Sequence, residues 1–223
     1  MSAGRPVEVL PMGERAVLVE VADLSAVLAL EAAVRSLTTA GDGVWARVED
    51  VVPAARTLLL TTDGVDPADL PVLGRAVRGL AATLDGSSGS LPPGEVVTVP
   101  VHYDGPDLDE VARLTGLSVG EVVAAHTGTD WRVAFGGFAP GFAYLVGGDP
   151  RLRVPRRDAP RPSVPAGSVG LAGEFSGVYP RASPGGWQLL GRTDLALWDA
   201  RRDPPALLRP GVVVHFVDEA ATG

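Results

Sequence analysis

At 223 residues the chain can form one large domain or two modest ones, with a sizeable core either way. A formal charge of −8 argues against a general nucleic-acid binder, which needs a basic footprint to neutralise phosphates, and no apolar run approaches the ~18–20 residues of a membrane span. All 19 basic residues are arginine and cysteine is absent, which excludes lysine Schiff bases, a Walker A lysine, a Ser-Lys dyad, disulfides and thiolate sites.

Residues 7–10 and 15–21 read as strands around a Gly13-Glu14 turn. Ser25 is placed to cap a helix running to about Thr39, with apolar residues at Val27, Leu28, Leu30, Val34 and Leu37 and Gly41-Asp42-Gly43 ending it. Val44–Val52 and Thr57–Thr62 read as a hairpin turning near Pro53. Asp66-Pro67 has the pattern of an N-cap followed by proline at the first helical position, opening a helix to about Leu84. Asp85–Ser90 is a turn-rich loop, and Val96–Val101 is the next strand. From residue 15 to 101 the order is strand, helix, strand, strand, helix, strand, which is the split βαβ, ferredoxin-like arrangement.

Two short helices follow. Asp107 with Glu110, and Ser118 with Glu121, have capping-box spacing, so Asp107 reads as a structural cap. Gly116 and Gly128 stand where helices commonly end. His126 falls at the C-terminal end of the second helix, where the dipole favours its protonated form by ~0.3–1 kcal/mol. From Trp131 the pattern is all-β, with strands at 131–135, 142–146, 168–172, 177–179, 187–190 and 212–217 separated by Pro and Gly. The expected class is α+β: a ferredoxin-like domain over 1–90, then a β-barrel domain with two short helices over 91–223.

The stretch from Phe135 to Thr193 is dense in glycine, proline and arginine, with single aromatics between them. Five arginines fall between Arg151 and Arg161, and a guanidinium removed from water needs an anionic or carbonyl partner. Arg156 and Arg161 are the first choice for anion contacts; the alternative is a solvated loop or internal salt bridges to acids such as Asp158. His126 reads either as a catalytic general acid–base or as a capping and packing residue. Gly137, Phe138, Gly141 and Phe142 either bring backbone N–H groups to a ligand or shape a barrel corner. Gly186 and Trp187 carry the same ambiguity, with Trp187 as a pocket wall or a partner-facing anchor. Tyr144 and Tyr179 read as core residues with hydroxyls at the rim. His102, His126 and His215 have no zinc spacing, so no metal site is expected. No GxGxxG or P-loop is present, so an ATP site would be unorthodox or completed by a partner. The first residues lack a basic-then-apolar leader and the chain lacks cysteine, which fits a cytoplasmic protein.

The motifs YDGPDL (103–108), GFAPGFAYL (137–145), VPAGSVGLAG (164–173), GVYP (177–180), SPGGWQLLGRT (183–193) and PGVVVHF (210–216) together resemble the KipI-type proteins. These are also called the B-type subunit of 5-oxoprolinase or allophanate hydrolase subunit 1, and the domain (carboxyltransferase subdomain C/D) recurs in the carboxyltransferase region of urea carboxylases. The resemblance implies a ferredoxin-like domain followed by a cyclophilin-like β-barrel. It implies two partners, a C-type (KipA-like) and an A-type (LamB/YcsF-like) subunit, with which such proteins form an ATP-dependent 5-oxoprolinase converting 5-oxo-L-proline to L-glutamate. ATP with Mg2+ is then the cofactor of the assembled complex, with none tightly bound to this chain. Alternative roles are inhibition of a sensor histidine kinase and a carboxyltransferase-like part in urea or allophanate metabolism. Two positions depart from the family pattern: Phe175-Ser176-Gly177 replaces Gln-Thr-Gly, and Asp194 replaces the proline after GRT.

Overall fold

Alternating apolar residues build the first sheet. Strands β1 (Glu8–Met12), β2 (Ala16–Glu20), β3 (Val48–Pro53) and β4 (Thr57–Thr62) pair antiparallel in the order β1-β2-β4-β3. The structure, a computed structural model, describes residues 7–64, 66, 68–84 and 94–221. The chain divides into two compact units, 1–90 and 91–223.

In the first unit, helix α1 (Leu24–Ala40) links β2 to β3 while β4 lies between them, which is a split βαβ. Val17 and Val19 of β2, Leu58 and Leu60 of β4, and Val27, Leu30 and Val34 of α1 are buried, as periods of two and 3.6 require. Helix α2 (Asp69–Thr83) adds Leu73 and Val77 to that core. Each such side chain contributes roughly 1.5–3 kcal/mol by leaving water.

Local details differ from the sequence reading. The cap of α1 is Asp23, whose carboxylate accepts from Ala26 N at 3.0 Å, so Ser25 lies inside the helix. Residues 43–47 form a 3-10 turn before β3 rather than its first half. The α2 cap position is Ala68, whose N–H bonds the Asp66 carboxylate at 2.8 Å; Pro67 and the loop 85–90 lie outside the described residues. The strand expected to complete this sheet, Val96–Val101, belongs to the second unit. Its place beside β2 is taken by β1, because a tight turn at Gly13 makes β1–β2 a local hairpin.

The second unit opens with that strand, β5 (Val96–Val101), then helices α3 (Leu108–Thr115) and α4 (Val119–Thr127). Ser118 and Glu121 form the expected reciprocal capping box on α4. Strands β6 (Trp131–Gly136), β7 (Ala143–Val146), β9 (Ser168–Ala172), β10 (Phe175–Val178), β12 (Gln188–Arg192) and β13 (Val213–Asp218) join β5 in one sheet, ordered β12-β9-β10-β7-β6-β13-β5. The β5–β13 pair is parallel and the other pairs are antiparallel. At the open side, His102 and Arg192 exchange backbone hydrogen bonds of 2.9 and 3.0 Å, which nearly closes the sheet into a barrel. The α+β class with a barrel-like second sheet therefore stands.

Two strands escaped the sequence reading. β8 (Arg161–Val164) and β11 (Ser183–Gly185) pair as a separate short ribbon, each with a proline, Pro162 or Pro184, that masks the strand pattern. No helix among the described residues is long and apolar enough to cross a membrane.

Candidate functional site

The β6–β7 turn, the segment before β8, Tyr179 just after β10, and β11 with the residues after it form a pocket of about 220 Å³ lined by Phe138, Phe142, Tyr144, Arg156, Pro160, Tyr179, Pro184, Gly185, Gly186 and Trp187. Its floor is the aromatic cluster of Phe142, Tyr179 and Trp187, with Tyr144 packed against it. Phe142 sits edge-on to Trp187, Tyr179 and Tyr144, with centroids 5.4, 5.3 and 5.1 Å apart. Such edge contacts align positive ring rims with negative faces.

The mouth is shaped by strain. Between β6 and β7, Ala139 N donates to Gly137 O at 2.7 Å, making a γ-turn with Phe138 at its centre and φ of 65°. A bulky side chain at positive φ costs about 1–3 kcal/mol, and such residues concentrate at ligand sites. Phe138 is also 58% exposed, edge-on to Phe142 and Tyr179. Gly141, at φ 84°, completes the turn, and Phe142 N returns to Ala139 O at 2.9 Å. On the opposite wall Gly185 presses so closely on the Tyr179 hydroxyl that a Cβ there would collide with it. The nearby backbone N–H of Trp187 acts to lower the pKa of that hydroxyl, against the larger effect of burial.

Arg156 is the pocket's cation. It is exposed and makes no ion pair among the described residues. Burial raises the phenol pKa of Tyr144 and Tyr179, and the charge of Arg156 opposes the shift in both. Both phenols therefore stay protonated at neutral pH, able to donate hydrogen bonds.

Arg161 is used differently. Its Nη2 donates to Asp107 Oδ1 at 2.7 Å, and Arg157 Nη1 reaches the same oxygen at 2.7 Å. The other oxygen, Oδ2, accepts from Leu189 N at 2.7 Å. Asp107 stands at the N-cap of α3 but makes no side-chain bond to that helix. The cap reading of Asp107 is thus replaced by a carboxylate whose side chain is only 3% exposed and shared by two guanidiniums. Burial alone would push its pKa up; the Arg161 hydrogen bond, the Leu189 amide and the two positive charges outweigh this and hold it below the ordinary value. Asp158, the acid considered as a partner for these arginines, is exposed.

His126 stands apart from the pocket. It has no exposed surface, and both nitrogens are engaged, Nδ1 with the Tyr103 hydroxyl at 2.8 Å and Nε2 with Ser176 Oγ at 2.9 Å. Its ring packs on Phe216 at 4.3 Å and Trp131 at 5.3 Å. Burial pushes its pKa down to about 3, so the desolvation penalty overrides the helix dipole and the ring is neutral. The general acid–base reading of His126 is corrected to that of a core hydrogen-bonding residue.

Of the residues singled out in the sequence, Phe138, Phe142, Arg156, Gly186 and Trp187 line the pocket, while Gly137 and Gly141 shape its turn. Arg161 stands behind the wall and His126 in the core. Sequence alone gives no site role to Arg157 or Pro160, reads Asp107 as a cap, and reads Tyr144 and Tyr179 as core residues with hydroxyls at the rim. The signal for Asp107 was present in the arginine density itself, since five guanidiniums within eleven residues require a carboxylate somewhere. Among the described residues no group of three or more His, Cys, Asp or Glu could hold a metal ion.

The second unit is thus a nearly closed barrel with an aromatic pocket whose lining holds Arg156 as its charged side chain. Residues 7–208 match the carboxyltransferase domain, subdomain C and D, and the chain belongs to that family. A relative from Bacillus subtilis (strain 168), named as the B-type subunit of 5-oxoprolinase, is 52% identical over 125 residues, covering 55% of this chain and 52% of that protein. The matched stretch thus spans about half the length of that relative. A relative of the same name from Escherichia coli O157:H7 is 47% identical over 147 residues, covering 65% of this chain and 67% of its own. The K. lactis urea amidolyase superposes on 96% of this chain and 15% of its own with a TM-score of 0.75; at 20% identity this is a likeness of fold alone.

Proposed function

We propose that this chain is a non-autonomous subunit of an ATP-dependent 5-oxoprolinase, opening 5-oxo-L-proline to L-glutamate together with A-type and C-type subunits in the cytoplasm. The observation that carries the reading is the pocket's inventory. Aromatic walls, one unpaired guanidinium and two neutral phenols suit a small cyclic acid, and relatives in the family are named for that enzyme.

The residues suggest a division of labour. Arg156 takes the ring carboxylate, a match for a planar guanidinium. Phe142, Tyr179 and Trp187 contact the ring and keep the cavity apolar. The Tyr179 hydroxyl, protonated at neutral pH and lining the pocket, donates its proton to the lactam oxygen in a hydrogen bond. A lactam is a resonance-stabilised amide, so opening it needs activation of the carbonyl oxygen and an attacking water. No lining side chain is a general base or nucleophile at neutral pH. The chain binds and orients, and the bond-breaking groups come from a partner.

ATP with Mg2+ does not fit this cavity. A triphosphate needs several donors and its metal needs oxygen ligands, whereas the lining offers one guanidinium and no carboxylate. No nucleotide step is assigned to these residues; the nucleotide belongs elsewhere in the assembly. The test is ATP-dependent glutamate formation from 5-oxo-L-proline by this chain alone, with the C-type partner, and with all three subunits. Turnover only in the full mixture is expected. An assembled complex that turns over nothing would sink the assignment and favour another amide, such as a urea derivative.

A further inference from the structure

We propose that Asp107 is a positioning residue for the pocket: its ionised carboxylate ties Arg157 and Arg161 to one oxygen and so fixes the segment from which Arg156 and Pro160 reach the pocket wall. The inference rests on the reading of the pocket given above and deepens it by naming what holds its cation in place.

The segment 155–160 runs to the start of β8 at Arg161 without regular structure and is pinned at few points. Pro155 O accepts from Gln188 Nε2 at 3.3 Å, and Arg157 N donates to Gly186 O at 2.8 Å. Arg161 enters the ribbon opposite Gly185. The strongest ties are the two charge-assisted bonds of 2.7 Å to Asp107 Oδ1. Asp107 is itself held twice by Leu189, its carboxylate accepting from Leu189 N and its own N–H donating to Leu189 O at 3.1 Å. One carboxylate thus joins the start of α3, the strand β12 and the arginine segment, 50 to 82 residues apart in sequence.

A helix-capping role would predict a bond to the α3 backbone, and there is none. A purely electrostatic role would be met by an acid anywhere on the loop, such as exposed Asp158. Instead the carboxylate is buried and aimed at the two guanidiniums that directly follow Arg156 and Pro160 in the chain. Arg157 Nε and Arg161 Nη1 are buried with no partner, so neither guanidinium has a second anchor at those atoms. Neutralising Asp107 leaves two like charges side by side and removes the tie that orients the segment.

Asp107→Asn tests this in the intact chain, with hydrogen exchange and two probes, 5-oxo-L-proline and its uncharged counterpart 2-pyrrolidinone. Faster exchange is expected across 155–161, with affinity for 5-oxo-L-proline falling about tenfold or more and that for 2-pyrrolidinone almost unchanged, because only the former uses Arg156. Unchanged exchange in a folded variant would overturn the proposal, as would equal losses for both probes. Should the wild-type chain bind neither probe, the pocket reading fails, and the exchange result alone still decides whether Asp107 holds the segment. If Asp107→Asn does not fold, Arg157→Gln and Arg161→Gln each remove one tie. Both should then loosen 155–161, and a rigid segment in both would count against the clamp.

Discussion

The surroundings of His126 and the pocket of Arg156 are built from the same materials, a cation-forming side chain among aromatic rings and tyrosine hydroxyls. They differ in closure. Around His126, Tyr103, Trp131 and Phe216 pack until no surface is left, and the imidazole is held neutral. Around Arg156 the strained γ-turn at Phe138 and the close approach of Gly185 to Tyr179 leave one side open, and the guanidinium makes no ion pair among the described residues. A polar group in an aromatic nest is structural or receptive according to whether the backbone leaves an entrance.

Three substitutions sharpen that comparison, ordered by their effect on stability. Trp187→Ala removes a 4%-exposed ring from the pocket floor and should cost about 3–5 kcal/mol in urea unfolding, abolishing ligand binding with it. His126→Gln acts through pH. Because the folded pKa is depressed to about 3, the unfolded chain binds one more proton below its ordinary value of 6.5. Stability from neutral His126 is therefore full above that value and is lost as pH falls towards the folded one, at up to about 1.4 kcal/mol per pH unit. The variant should flatten this acid limb of the stability–pH curve; an unchanged limb would show that His126 already carries a proton in the fold. Arg156→Gln should shift stability by no more than about 0.5 kcal/mol, yet lower kcat/KM of the assembled enzyme about 10–100-fold. Full activity would remove Arg156 from the site.

What the sequence reveals follows the range of each interaction. The Ser118–Glu121 box, the Gly41 stop and the short apolar strand runs of the barrel are local, and each is legible within a few residues. Phe138, Phe142 and Trp187 stand out because glycine and proline frame them. The carboxylate that fixes the arginines lies 50 residues upstream, in a position where helix-cap spacing gives a sufficient local reason for it. The short ribbon fails for another reason: with three or four residues and a proline per strand, β8 and β11 offer no period to read. His126 shows the reverse error. Its local setting at a helix end suggests a charge, and only the barrel core, assembled from residues 103 to 216, removes it.

The parallel pairing of β5 with β13 has a consequence for the order in which the chain acquires structure. Val96–Val101 opens the second unit, but the strand it pairs with spans Val213–Asp218, which also flanks β6. During synthesis, therefore, β5 lacks this partner until residues 213–218 have left the ribosome. The four-stranded sheet of the first unit needs nothing beyond Thr62 for its pairing and is complete long before. A chain cut short of Val213 leaves β5 without its ladder partner and β6 paired on one side only, with β7, so the barrel keeps an open edge.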